Sequence, residues 1–401
     1  MSVDINANSI METKKESKNV EDITSIEELD FDKMDLYKGE TPVDINDQCL
    51  QLCKDYLSGE WIQQTVDTIT VRRITGGLMN QLYYCGINEP NLTSKVPQEV
   101  AIKLYGEKPI KTTDNKYDRL NDTIIDLMVS VNQLGPKIYA LFEHGQIQHY
   151  YKHRQFKPVE QSNLKLVDEV FRKFARIHAM DVPIKRTHNM FMKEAEESFR
   201  YVFFDSDINI KETFEKYNCE TLLTADLKFE FEWIKQIIAK VNSPIVFTHN
   251  DFRSSNLLIT ESMDKTDGPI VVCDFEFSSY GYRGIDFQSI ILEWGRKQLD
   301  FSADGLPHDD SVLRPLIEIY VDECQRIHGK EFSANVVNSV DYIIYEIKVF
   351  TLIRLFFGAI ISVKTDLQNN AFMKNKPMLF PEFMYKNYLI LKKRLQDLNI
   401  I

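Results

Sequence analysis

Apolar residues recur at helical spacing from Asp44 to Leu57, at Ile45, Leu50, Cys53 and Leu57, and Ser58-Gly59 closes that helix. Two β-branched and aromatic runs follow at residues 66–75 and 81–87, and they predict a strand pair around Thr75-Gly-Gly-Leu-Met-Asn80. Residues 99–105 read as a further strand with one lysine, Lys103, at its centre. The spacing of Leu120, Ile124, Leu127, Met128, Val131 and Leu134 predicts an amphipathic helix over 117–134, ended by Gly135-Pro136. Two more strands are expected at 137–142 and 147–151, around a turn at 143–146.

After Phe156 the period lengthens. Helices are predicted over 164–180, 191–204 and 222–241, then over 312–328, 335–364 and 381–398. Between these sets lie three short apolar runs at 245–247, 257–259 and 270–273, read as strands, and a run at 290–292 read as the end of a helix. The pattern predicts an α+β chain: a small antiparallel sheet lobe with one helix over 41–152, then a large, mostly helical lobe over 153–401. Residues 1–40 are polar with few aromatics and predict a disordered acidic tail.

Composition changes this picture little. A hydrophobic content of 43% suits a globular protein, and a net charge of −12 argues against a nucleic-acid or anionic-membrane partner. Six scattered cysteines without a Cys-x-x-Cys pair, and a polar first twenty residues, predict a reduced, cytoplasmic protein without a secretory leader. The most apolar stretch, 349–363, is too short to span a bilayer and carries Arg354, so it predicts a buried helix and no stable membrane insertion. The chain is compatible with a homodimer.

Candidate chemistry gathers between Ile245 and Trp294. Asp251 and Asn256 stand five positions apart on a loop between two strands, and Asp274 ends the next strand. Phosphoryl transfer needs a positioned acceptor hydroxyl and cations across the phosphate oxygens. Asp251 is the expected catalytic carboxylate. Asn256 and Asp274 are the expected magnesium ligands, since magnesium takes one or two carboxylates plus phosphate oxygens and water. Gly76, Gly77 and Asn80 form a turn that can bring backbone amides to phosphate, although Gly-Gly also makes a plain hairpin. Lys103, in Val-Ala-Ile-Lys, matches the nucleotide-phosphate lysine of protein kinases; its alternative is the solvent face of an edge strand. Asp122 can pair with Lys103 or be an ordinary surface carboxylate. The segment from His149 through Tyr151 to Lys152 is the expected hinge, where backbone groups meet adenine. His249 and His178 read as structural.

These residues together resemble the choline/ethanolamine kinase family, within the protein-kinase-like phosphotransferases. The resemblance covers roughly residues 45–398. It rests on His249-Asn-Asp251 with Asn256, on Asp274-Phe-Glu-Phe-Ser-Ser-Tyr-Gly-Tyr-Arg-Gly-Ile-Asp286, and on Glu293-Trp294. Arg72–Asn80, Ala101–Gly106, Leu134–Tyr139 and Phe174–His178 fit the nucleotide lobe and first large helix. The resemblance implies a two-lobed kinase that moves the γ-phosphoryl of MgATP to the hydroxyl of a small amino alcohol, choline or ethanolamine, for phospholipid synthesis. It implies Glu293 and Phe357 at the amino-alcohol site with Asp251, and Asp286 as a brace for the loop backbone. Departures are Ser289 where the family has Asn, Phe252-Arg-Ser-Ser255 where it has a Gln-Glu-Gly type run, Asp122 for Glu, and Phe357 and Ile360 where tryptophans are common. A thinner aromatic box predicts a weak choline site.

Three other readings remain at this level. Aminoglycoside-type or sugar-type kinases share Asp-x-x-x-x-Asn and Asp-x-Glu but lack the Tyr280–Trp294 block. A catalytically weak kinase fold acting as a binding module would suit the altered loop and wall, but Lys103, Asp251, Asn256 and Asp274 are all present. A purely structural interaction protein has no specific support.

Overall fold

The structure is a computed structural model that describes residues 40–74, 80–106, 118–186, 190–261, 268–297, 300–368 and 376–401. Helix α1 (Ile45–Leu57) buries Ile45, Cys49, Leu50 and Cys53. Strands β1 (Ile69–Ile74), β2 (Gln81–Ile87), β3 (Glu99–Leu104), β4 (Ile138–Phe142) and β5 (Gly145–His149) form an antiparallel sheet in the order β1-β2-β3-β5-β4. The first run starts later than expected. Val66–Thr68 is a 3-10 turn closed by a capping box between Thr65 and Thr68. Because side chains alternate across a strand, β3 sends Ile102 into the α1 side of the sheet with Tyr83 and Ile147. Ala101 and Lys103 face the other way.

Helix α2 (Asp118–Val131) covers that other face. It is rotated relative to the expected stripe. Leu120, Leu127 and Val131 are exposed, whereas Ile125 and Val129 are buried in the core. The inner surface is therefore Asp122, Ile125, Asp126 and Val129, about one residue (100°) round from the apolar series in the sequence. The helix covers a charged cleft, so its buried face includes carboxylates that an apolar count ignores.

Strand β6 (His153–Gln155) leads into the helical part. Helix α3 (Leu164–His178) is capped by Asn163, whose side chain accepts from the N–H groups of Lys165 and Leu166. Helix α4 (Met190–Arg200) runs into a π-helical turn at Tyr201–Asp205. A short helix α5 (Ile210–Lys216) comes first, and the expected helix 222–241 is divided: α6 (Glu220–Thr224) stops early, and Asp226 caps α7 (Leu227–Val241) through Phe229 N. A helix-capping aspartate in mid-run marks a start that periodicity cannot see.

Strands β7 (Ile245–Thr248), β8 (Leu257–Thr260) and β9 (Ile270–Val272) lie where the apolar runs place them. β8 pairs with β6 and β9, and β7 pairs with an unexpected strand, β10 (Ser279–Tyr282). Helix α8 (Arg283–Leu292) follows, then α9 (Asp310–His328), α10 (Val340–Leu367) and α11 (Leu379–Asp397). Stretch 349–363 is buried inside α10, and no helix of the described residues is long and apolar enough to cross a membrane.

Candidate active site

Lys103 Nζ lies 3.4 Å from Asp126 Oδ2. The expected partner, Asp122, lies 3.6 Å from Arg119 of the same helix. Both carboxylates are on the inner face of α2, and Asp126, one helical turn on from Asp122, is the one that meets Lys103 of the central strand β3. Burial pulls the Lys103 ammonium towards neutrality, but Asp126, Asp274 and Glu276 together push its pKa above the ordinary lysine value. Lys103 is thus a protonated lysine facing a cluster of carboxylates, not an edge-strand surface group. Asn80 Nδ2 donates to Glu276 Oε2 at 2.8 Å, and Asn80 Oδ1 accepts from Gly106 N at 3.1 Å. Gly76 and Gly77 lie outside the described residues.

The space between the sheet and β8–β9 is a cavity of about 190 Å³, lined by Ala101, Lys103, Tyr150, Leu258, Asp274 and Glu276 among others. His149 and Tyr151 also line it. The His149 ring lies 2.8 Å from Tyr139 Oη and edge-on to Tyr151, at 4.4 Å between centroids. The Tyr151 carbonyl lies 2.7 Å from His153 Nδ1.

The loop after β7 is pinned from below. The Asp286 carboxylate, fully buried at the start of α8, accepts from His249 N at 2.6 Å and from Asn250 N at 2.8 Å. Its Oδ2 is also 3.2 Å from His178 Nε2. His249 Nε2 reaches the Cys273 carbonyl at 3.0 Å, which ties this loop to the segment carrying Asp274. Phe252 stacks on Phe174 of α3, with centroids 4.2 Å apart. Asn250 adopts a left-handed backbone (φ 64°), and its amide nitrogen donates to Phe277 O at 2.7 Å. Both histidines that read as structural make such bracing contacts.

Within this frame Asn256 Nδ2 donates to Asp251 Oδ2 at 2.8 Å and to Asp251 O at 2.9 Å. Its amide oxygen is the remaining acceptor. Asp274, also left-handed (φ 67°), follows β9. Burial raises the Asp274 pKa, and neighbouring Asp251 adds to this against the pull of Lys103. Burial and the nearby Asp274 push Glu276 up to about 8. Lys103 and Arg253 do not balance the four carboxylates Asp126, Asp251, Asp274 and Glu276, so hard oxygen donors and surplus negative charge fit a divalent metal. Among the described residues no three His, Cys, Asp or Glu side chains close into a cage. An open site that shares its metal with phosphate oxygens needs none.

On the far side of Asp251 stands a second pair of charges. Arg253 Nε is 3.0 Å from Asp251 Oδ1, and Arg253 Nη1 is 3.9 Å from Glu293 Oε1. Glu293 is buried. Arg354 of α10 stacks on Phe191 at 4.7 Å and feels the fields of Asp251, Arg253 and Glu293. Phe357, expected at the amino-alcohol site, has no exposed surface. It packs among Phe191, Phe231 and Phe356, with centroids 5.7, 5.7 and 6.0 Å away, and Ile360 is equally buried. The wall position is core, because α10 is sandwiched between α4, α8 and α11 and turns this face inward. Asp126, Glu276, Arg253 and Arg354 were not singled out for a role from sequence. The visible signals were the Asp-x-Glu spacing and a helical turn between Asp122 and Asp126.

The sequence model of the choline/ethanolamine kinase family matches residues 71–389. A mouse choline/ethanolamine kinase is 28% identical over 254 residues, 63% of this chain and 61% of that protein. The chain's matches thus span about three fifths of the length of the first curated relatives. Among solved structures, a choline kinase from Cryptosporidium parvum superposes with a TM-score of 0.63 at 18% identity, covering 88% of this chain and 97% of that one. A Plasmodium vivax ethanolamine kinase gives 0.56 at 18% identity, covering 90% and 97%. At these identities the likeness is one of fold, the two-lobed kinase-like architecture.

Proposed function

The chain belongs to the choline/ethanolamine kinase family, and on that footing we propose that it transfers the γ-phosphoryl group of ATP to the hydroxyl of choline or ethanolamine, with magnesium as its metal. The observation that carries this reading is the position of Asp251. Its carboxylate lies on a braced loop, near enough to Asp274 of the cleft cluster to raise its pKa, and it shares Arg253 with Glu293.

The cleft takes the nucleotide. Ala101, Leu258 and the 149–151 segment offer the surface for adenine, and Lys103, held by Asp126, meets phosphate oxygens. Asn256 through its amide oxygen and Asp274 through its carboxylate would hold magnesium, which draws charge from the phosphates and keeps them in place. Asp251 orients the acceptor hydroxyl and takes its proton as the oxygen bonds to phosphorus and the bond to the departing ADP oxygen breaks. Asn256 fixes the Asp251 rotamer through its hydrogen bond. Glu293 offers a buried carboxylate to the ammonium end of the amino alcohol.

The test is incubation of the full chain with MgATP and, separately, choline, ethanolamine, their monomethylated and dimethylated intermediates, and an aminoglycoside, with products read by mass. Phosphocholine or phosphoethanolamine is expected. Phosphorylation of the aminoglycoside with none of the amino alcohols would overturn the reading.

A further inference from the structure

Arg253 occupies the place between the two carboxylates that the amino alcohol needs. Its guanidinium is 3.0 Å from Asp251 and 3.9 Å from Glu293, and four-fifths of its side chain is shielded from solvent. An ammonium bound to Glu293, with its hydroxyl at Asp251, would lie across the same gap. The same guanidinium also feels Asp274, the carboxylate at the phosphate end of the site. Arg253 thus bridges Asp251 and Glu293 and is close enough to Asp274 to feel its charge.

We infer that Arg253 is a tethered stand-in for the acceptor's ammonium, which holds the acceptor site closed until a nucleotide's terminal phosphate draws the guanidinium away. The inference rests on the amino-alcohol reading above. Three features support it. A guanidinium binds phosphate oxygens at least as well as carboxylate, so a bound triphosphate offers it a competing partner. Arg354 remains behind, fixed on Phe191 and within the fields of Asp251 and Glu293, so both carboxylates keep a cation nearby when Arg253 leaves. Last, with Arg253 in place an incoming ammonium would be set beside a like charge within a few ångströms in a poorly solvated site, which opposes its binding. Nucleotide and amino alcohol are then positively coupled, and the coupling is reciprocal.

The experiment is calorimetric binding of choline and of ethanolamine to the full chain, with and without a non-hydrolysable MgATP analogue. It is repeated for Arg253→Gln and Arg253→Lys, each checked for an unchanged melting temperature. In the parent the analogue should tighten the preferred amino alcohol at least about tenfold, or about 1.4 kcal/mol. Arg253→Gln should bind it about tenfold more tightly than the parent without nucleotide, and the effect of the analogue should collapse. Arg253→Lys, which keeps a cation, should retain part of the coupling. Equal parental affinity with and without the analogue would overturn the inference, as would an unchanged or weaker nucleotide-free affinity in Arg253→Gln. If neither amino alcohol binds any variant in either state, the amino-alcohol reading itself falls, and this inference with it.

Discussion

The Nζ of Lys103 on β3 lies 3.4 Å from Oδ2 of Asp126 on α2, and both side chains line the cleft. This ion pair joins sheet to helix where a nucleotide's phosphates would sit. It fixes a long, flexible side chain that would otherwise sample many rotamers.

Asp126→Ala should therefore weaken MgATP-analogue binding about tenfold or more, the equivalent of about 1.4 kcal/mol. Asp122→Ala should weaken it less, since Asp122 faces Arg119 on its own helix. Titration calorimetry of both variants gives the comparison. Parental affinity in Asp126→Ala would show that Lys103 is positioned without it.

Asp286 supports the loop carrying Asp251 through two backbone N–H groups. In Asp286→Asn one carboxyl oxygen becomes a donor that faces an N–H. Hydrogen bonds to charged groups contribute about 1.5–3 kcal/mol each, so a stability loss of about that size is expected in denaturant unfolding, with a parallel fall in turnover. A variant as stable as the parent would remove Asp286 from this role.

Stability should also carry the signature of His178. Burial lowers its pKa below the ordinary 6.5, while Asp286 pulls the other way. The unfolded chain then takes up a proton on acidification before the folded chain does. The stability linked to the neutral imidazole is fully present above about 6.5 and is lost as pH falls below it. His178→Asn should remove this acid-side loss from the dependence of unfolding free energy on pH between about 7.5 and 5.5. Some slope should remain, because burial also lowers the pKa of His308 and pushes Glu276 up to about 8, the latter making stability fall as pH rises through the window. An identical slope in parent and variant would show that His178 does not titrate differently on folding.

Phe357→Trp should not restore an aromatic choline wall. The ring is enclosed by Phe191, Phe231 and Phe356, so a larger side chain must displace them. Overpacking costs about 1–3 kcal/mol, which should appear as a lower melting temperature without tighter choline binding. A stable variant with improved choline affinity would place this residue at the substrate after all.

How far the chain could be read beforehand varied with the kind of signal. The strands of the small sheet and the Asp251–Asn256–Asp274 spacing were legible, because β-branched runs and motif distances are local properties. Helix α2 was placed correctly but turned wrongly. Its buried face mixes Ile125 and Val129 with Asp122 and Asp126, and an apolar count favours Leu120 and Leu127, which are exposed. Strand β10 was missed because Tyr280-Gly-Tyr282 is too short for alternation to register, and its pairing with β7 is a tertiary event. Arg253 was visible as a change in the loop. Its place between Asp251 and Glu293 depends on two segments some forty residues apart meeting in space.

Phosphorus NMR of the full chain with MgATP and choline or ethanolamine, run beside Asp251→Asn, tests the role of Asp251 most directly. The parent should give phosphocholine or phosphoethanolamine with matching ADP. The variant should turn over at least about a hundredfold more slowly, within the range lost when a general base is removed, with its melting temperature and nucleotide affinity close to parental. Near-parental turnover in the variant, or no phosphorylated amino alcohol from the parent, would contradict it.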